Sequence, residues 1–260
     1  MKTVILCGGY GTRIRDLTSD IPKPMIPIAN LPILWHIMKY YAQSGFNEFV
    51  LCLGYKAETI KRFFLDYESL TTDFTITLGT DREIISHNSH GETNWRITLA
   101  DTGLNTMTGA RVKRVAKYIG DDEDFMLTYG DGLSNIDLTK LFAFHKSHGK
   151  LLTVTGVHPP ARFGEIEHDA DGRVVEFNEK TQTSSGRISG GFFMAKREML
   201  DYLSDDEGCV MEVEPMRNLA RDGQLMLYRH DGFWQCMDTM REYQLLNSLW
   251  NSGQAPWKTW

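Results

Sequence analysis

The residues of this chain that could do chemistry begin with Gly8-Gly9-Tyr10-Gly11-Thr12-Arg13, directly after the apolar run Thr3-Val4-Ile5-Leu6-Cys7. Glycines after a strand let the backbone turn at positive φ and approach a ligand with no Cβ in the way. Successive N–H groups in such a turn make a concave anion site, and Arg13 adds a fork of donors. A little further on, Lys23 is a point charge fixed between Pro22 and Pro24. Together these describe a site for a nucleoside triphosphate. Asp131 stands between Gly130 and Gly132 at the end of the strand-like run from Asp124. The carboxyl ends of parallel strands face the ligand crevice, so an aspartate there is placed to hold Mg2+. The plain alternative is an ordinary Asp-Gly turn.

Better-known phosphate loops do not fit. A Gly-x-x-x-x-Gly-Lys-Ser/Thr loop needs a Gly-Lys-Ser/Thr ending that this loop lacks, and a dinucleotide fingerprint needs a glycine where Ile14 stands. The histidines are poor metal candidates. His36 sits among apolar helical residues and reads as a packed histidine. His87 and His90 fall in a polar loop and read as solvated. His145 and His148 have chelating spacing, but read as a surface helix end.

The elements that must position these residues follow from length and pattern. The 260 residues are 42% hydrophobic and 24% charged, ordinary values for a globular chain with a sizeable core. A net charge of −6 gives no general reason to bind nucleic acid or an anionic membrane, so an anionic substrate needs a local cluster of Arg and Lys. No apolar run is long enough to span a bilayer, and the sequence starts on a strand rather than a signal peptide. Cys7, Cys52, Cys209 and Cys236 are scattered, which fits free thiols in a reduced, cytoplasmic setting.

Strand 3–7, a helix opened by Pro32, strand 49–53 and helix 57–66 alternate as βαβ units of a mostly parallel sheet. Residues 74–78 alternate like a strand, and 79–94 form a polar excursion, either a substrate-covering flap or an arm to another subunit. After strand 96–100, Thr108 or Gly109 could cap a helix 112–119, with Arg111 beside the capped loop. Arg114, by contrast, reads as part of a solvated helix face. The second half carries short strands 164–168, 173–178 and 188–195. There Lys180 is free to point at a phosphate, and Gly190-Gly191 allows close backbone approach. Helices 197–203, 214–221 and 240–250 and strand 224–229 complete a single α/β domain, with a Rossmann-like sheet and a small β-rich lobe. The half from about 151 to 260 caps the half from about 1 to 150.

Gly8-to-Arg13 and Pro22-Lys23-Pro24-Met25 resemble the motifs of sugar-1-phosphate nucleotidylyltransferases. Met107-Thr108-Gly109 with Arg111, Thr128-to-Gly132, Gly190-to-Phe193, Met237-Asp238-Thr239 and the closing Trp257-Lys258-Thr259-Trp260 resemble their cytidylyl branch over nearly the whole length. The chain departs from that family at Thr181 and Cys236, where proline is usual, and at Met211, where tryptophan is usual.

The resemblance implies Mg2+-dependent transfer of CMP from CTP to a sugar 1-phosphate, most simply glucose 1-phosphate. By resemblance, Asp238 joins Asp131 on the metal, while Arg13, Lys23 and Asp131 carry the chemistry. Leu6, Cys7, Gly8, Gly9, Tyr10, Gly11, Thr12, Thr106, Arg111 and Gly130 line the nucleotide site with Arg13 and Lys23. Glu179, Lys180 and Gly191 take the sugar phosphate, which makes about 1–150 the nucleotide-binding half and about 151–260 the sugar-binding and C-terminal half. A homo-oligomer, trimer or hexamer, is implied, joined through the 79–94 excursion or the segment 255–260. The open alternatives are a dTTP- or UTP-using transferase and a non-catalytic sugar-nucleotide sensor.

Overall fold

Seven strands make the central sheet: β1 (Lys2–Leu6), β2 (Glu48–Leu53), β3 (Arg96–Asp101), β4 (Asp124–Tyr129), β5 (Leu152–Val157), β6 (Ile188–Lys196) and β7 (Leu225–His230). Their spatial order is β7-β5-β6-β4-β1-β2-β3. Pairs β1–β2, β1–β4, β2–β3 and β5–β7 are parallel, whereas β6 runs antiparallel to both β4 and β5. Only β6 therefore opposes the other strands. The computed structural model describes residues 1–14, 21–79, 83–88, 90–92, 94–159, 165–168, 171, 173–178 and 186–260.

Alternate residues of each strand feed two cores, one on each face of the sheet. Ile5, Phe49, Leu51, Met126 and Phe192 point to one side, and Val4, Val50, Phe125, Leu127 and Phe193 to the other. Both faces are covered by helices, so the strands read as continuous apolar runs rather than as alternation. The first face is covered by helices α1 (Ile33–Gln43) and α2 (Ala57–Leu65), and the second by helices α3 (Thr108–Arg114) and α5 (Glu214–Arg221). The free thiols of Cys7 and Cys52 are buried in these cores as small apolar groups.

Several expectations need correction. Pro32 belongs to a two-residue strand pairing with Pro27–Ile28 and precedes α1 rather than opening it. Helix α3 begins at Thr108, with Met107 at the N-cap and no side-chain cap, because Thr108 is engaged elsewhere. The excursion after residue 78 is not wholly irregular. Phe74–Thr77 pairs antiparallel with Glu83–Ser86 as a two-stranded hairpin, and Glu92 is tied to the body by Lys39 at 2.5 Å and Tyr67 at 3.0 Å. His145 is not at a surface. It is fully buried on helix α4 (Leu138–His148), and its Nδ1 lies 2.8 Å from Thr153 Oγ1.

The segment Ala255–Trp260 folds onto its own chain. Trp257 is fully buried, stacked on Phe233 and Trp250, and Trp260 packs edge-on against Trp35. His36 sits under this aromatic cluster, its Nε2 3.0 Å from Ile28 O, as the packed histidine its neighbours suggest. The segment is therefore core, not a free arm. In the second half, Glu165–His168 pairs antiparallel with Val174–Asn178, the nucleus of the β-rich lobe.

Candidate active site

The loops after β1, β3 and β4 surround a cavity of about 400 Å3 at the carboxyl edge of the sheet. Leu6, Cys7, Gly8, Gly9, Gly11 and Thr12 line it from β1 and the loop after it, Thr106 from the β3–α3 connection, Arg111 from α3, and Gly130 and Asp131 from the end of β4. Lys23 and Asp238 complete the wall. Most of the residues expected from sequence thus converge on one place. Tyr10 does not: it is half-exposed outside the wall, and its hydroxyl donates to Asn105 Oδ1 at 2.6 Å. Arg13 lies in the helical turn Thr12–Ile14, where its backbone alone is described. Glu179 and Lys180 lie outside the described residues.

Lys23 is the electrostatic centre. The turn Lys23–Met25, fixed by prolines on both sides, buries its side chain to 9% exposure. Its Nζ donates to Asp131 Oδ2 and to Asp238 Oδ1, both at 2.5 Å. Burial alone would lower the lysine pKa, but the two carboxylates outweigh it, so the pKa lies above its ordinary value. Asp131 arrives from the end of β4, and Asp238 from the residues before helix α6 (Met240–Asn251). The Asp238 segment is set by a capping box: Thr239 accepts from the Glu242 N–H, while Glu242 Oε2 accepts from the Asp238 and Thr239 N–H groups at 2.6 and 2.8 Å.

Two carboxylate oxygens aimed at one point are what a hard cation with oxygen ligands requires. No cluster of three or more His, Cys, Asp or Glu suited to a metal occurs among the described residues. A Mg2+ at Asp131 and Asp238 would thus take further oxygens from phosphates and water, as that ion ordinarily does.

A second cavity, of about 350 Å3, adjoins the first and shares Tyr129, Asp131 and Asp238 with it. Gly190, Gly191, Phe192 and Trp234 line its far side. Gly191 has φ +75°, and a Cβ there would lie 2.4 Å from the Tyr129 ring, so only glycine fits. The two carboxylates therefore stand at the junction of two chambers, with Lys23 bonded to both from the first. Cys236 borders the second chamber with its thiol pushed up to about 12, by burial first and then by Asp238, which keeps it a neutral thiol.

Two roles were not legible from spacing. Arg111 lines the first cavity, yet its guanidinium serves the protein itself. It donates to the carbonyls of Leu53, Gly103, Gly8 and Leu104 at 2.8–3.2 Å and to Thr102 Oγ1 at 2.7 Å. It rivets the glycine loop to the loop after β3. A Cβ on Gly8 would lie 2.2 Å from Arg111 Nη1, whereas one on Gly9 would meet nothing within 4 Å. Gly8 is thus a packing glycine, and Gly9 faces open space. The second missed feature is Glu212, which accepts from Thr108 Oγ1 at 2.6 Å and from the Tyr129 hydroxyl. It ties the first turn of α3 to the Tyr129 wall shared by the chambers.

A family model described as Nucleotidyl transferase matches residues 2–244 of this chain. A protein of Bacillus subtilis named "Probable glucose-1-phosphate cytidylyltransferase" is 47% identical, covering 100% of both chains. A "Glucose-1-phosphate cytidylyltransferase" of Salmonella typhi is 45% identical with the same coverage. Among solved structures, HddC from Yersinia pseudotuberculosis is similar with a TM-score of 0.66 at 23% identity, over 96% of this chain and 99% of that one, a likeness of fold.

Proposed function

Because this chain belongs to the nucleotidyl transferase family, we propose that it transfers CMP from CTP to α-D-glucose 1-phosphate, giving CDP-glucose and pyrophosphate. The observation that carries this reading is the Asp131–Lys23–Asp238 trio, whose carboxylates stand at the junction of two cavities. A phosphate oxygen of the sugar phosphate, held in the second cavity, attacks the α-phosphorus of CTP, held in the first, and pyrophosphate leaves in line. Holding two reactants in that geometry replaces much of the entropy of an encounter.

The glycine loop offers N–H groups to the triphosphate, with Gly9 open for close approach. Lys23 turns from the carboxylates to the α-phosphate, where a fixed cation stabilises the charge developing in the transition state. Asp131 and Asp238 hold Mg2+, which when bound neutralises charge on the phosphate oxygens. Arg13 and Lys180 serve the leaving pyrophosphate and the sugar phosphate in this reading. Measuring pyrophosphate release across CTP, UTP, dTTP and GTP with several sugar 1-phosphates tests it. CTP with glucose 1-phosphate should be the best pair. Preference for dTTP or UTP would move the chain to another branch, and no release with any pair would make it a sensor.

The setting proposed is cytoplasmic; among the described residues no helix is long and apolar enough to cross a membrane. Association through the hairpin Phe74–Thr77/Glu83–Ser86 is also proposed, into a trimer or hexamer. Phe74, Ile76, Ile84 and Ile85 are 38–52% exposed on a lone strand pair, which is marginal in water unless something covers it. In light scattering, Ile84→Lys should lower the mass. A fully active monomer at micromolar concentration contradicts the assembly.

A further inference from the structure

The glycine loop and the loop after β3 are tied together twice, once at depth and once at the surface. At depth, Arg111 is 4% exposed and donates to Gly8 O in the first loop and to Gly103 O and Leu104 O in the second. At the surface, the Tyr10 hydroxyl donates to Asn105 Oδ1 at 2.6 Å, with Tyr10 44% exposed. A buried cation shared among several carbonyls does not let go without leaving its charge unpaired. A single neutral hydrogen bond beside water opens and closes at little cost.

Tyr10 is also placed to move. Gly9 and Gly11 stand on either side of it. A Cβ on Gly9 would meet nothing within 4 Å, and Gly11 has φ +64°. Glycines on both flanks give the segment a backbone freedom that no other residue supplies. The Tyr10 ring rests on Tyr55, centroids 5.2 Å apart, and the Tyr55 N–H donates to Gly8 O at 3.2 Å. The loop after β2 thus braces the closed position. Gly9, Gly11 and Thr12, beside Tyr10, line the first cavity, as does Thr106 beside Asn105, while Tyr10 and Asn105 do not. The bond therefore joins two walls of the cavity without reaching into it.

Resting on the proposed use of CTP, we propose that the Tyr10–Asn105 bond is a clasp between two walls of the nucleotide cavity, hinged at Gly9 and Gly11 and anchored by Arg111. Open, it lets the triphosphate reach the N–H groups of the glycine loop. Closed, it holds those N–H groups against the phosphates and slows the nucleotide's departure. Tyr10 is then a positioning residue: it governs how long the nucleotide stays, not the transfer step. A clasp made of one ordinary hydrogen bond is worth about three- to tenfold in the lifetime of the complex.

The test is stopped-flow release of a fluorescent N-methylanthraniloyl derivative of CTP, bound with Mg2+ to the full chain and chased with excess CTP. Tyr10→Phe keeps the ring on Tyr55 and removes the donor, and Asn105→Ala removes the acceptor. Each should speed release about three- to tenfold, and the double variant should be no faster than either single. In steady state KM for CTP should rise while kcat holds. A merely structural bond would instead lower the urea midpoint of both variants and leave release at the wild-type rate. That result, or a double variant in which the two effects multiply, overturns the inference. Should one variant fail to fold, the other carries the same expectation from the opposite wall. A wild type that binds no CTP overturns the reaction and the clasp together, whereas CTP bound and released at one rate by wild type and variants overturns the clasp alone.

Discussion

Strand β4 carries an aspartate at its start and another just past its end, each paired with a lysine, and the two sites are built differently. Asp124 is 7% exposed; its Oδ2 accepts from Lys146 Nζ at 2.7 Å, and His145 Nε2 lies 3.5 Å from its Oδ1. Thr153 Oγ1 bridges His145 and His148, 2.8 Å from each ring. A hydroxyl has one hydrogen, so it donates to one ring and accepts from the other. None of these side chains lines either of the two chambers. Asp131 also faces a lysine, but Lys23 is shared with Asp238, and two chambers meet at the two carboxylates. Buried pairing is therefore not the mark of the end proposed as active. Access lined by glycines, and an excess of carboxylate over ammonium, distinguish it. In an open parallel sheet that end is the carboxyl edge.

The comparison is broken most strongly at Lys23. Lys23→Ala should lower turnover at least ~100-fold, since a positioned donor at developing charge supplies ~2.7–4 kcal/mol. Near wild-type turnover at saturating CTP would reduce Lys23 to a strut between the carboxylates.

The next effect is on the quiet side. Burial pushes His145 and His36 down to about 4 from an ordinary 6.5, with Asp124 pulling His145 partly back. Below 6.5 the unfolded chain takes up protons that the folded chain refuses until about 4. Their stabilisation is thus complete above pH 6.5 and is lost as pH falls toward 4, by about 2 kcal/mol per histidine at pH 5. Urea midpoints at pH 7 and pH 5 check this, and His145→Gln should flatten its share. A midpoint indifferent to pH would contradict it.

The smallest effect sharpens the wall between the chambers. Burial first, then Glu212, pushes the Tyr129 hydroxyl above its ordinary range, so it stays a donor to Glu212. Tyr129→Phe keeps the ring but releases it from that carboxylate. Turnover should fall about five- to tenfold, the worth of one hydrogen bond, with little change in KM for either substrate. A pure rise in KM would make Tyr129 a binding group instead.

Much of this was legible in the sequence, because local chemistry dictated it. Gly8 to Thr12, Lys23 and Asp131 announce themselves by residue type and neighbours, and their convergence follows from parallel strands sharing one edge. Asp238 has no such local sign; its place depends on the Thr239–Glu242 capping box and on the pairing of Trp234–Cys236 with Gly132–Ser134. Arg111 stands out in the sequence beside a loop and Arg114 reads as solvated, and only tertiary packing puts the first on Gly8 O and the second on Thr106 Oγ1. The segment 255–260 misled for the opposite reason. Aromatic residues suit an interface or a core equally, and Trp257 is in the core. His145 was misplaced because periodicity in α4 does not reveal that β5 brings Thr153 beneath it.

The most direct test is one substitution made at both ends of β4, followed by turnover with CTP and glucose 1-phosphate and by urea denaturation. Asp131→Asn should abolish turnover and leave the urea midpoint unchanged, because Lys23 keeps Asp238. Asp124→Asn should keep turnover and lower stability by about 1–3 kcal/mol, the cost of weakening a buried charged hydrogen bond. Turnover retained in Asp131→Asn, or lost in Asp124→Asn without loss of stability, would contradict the assignment of the active site to the carboxyl edge.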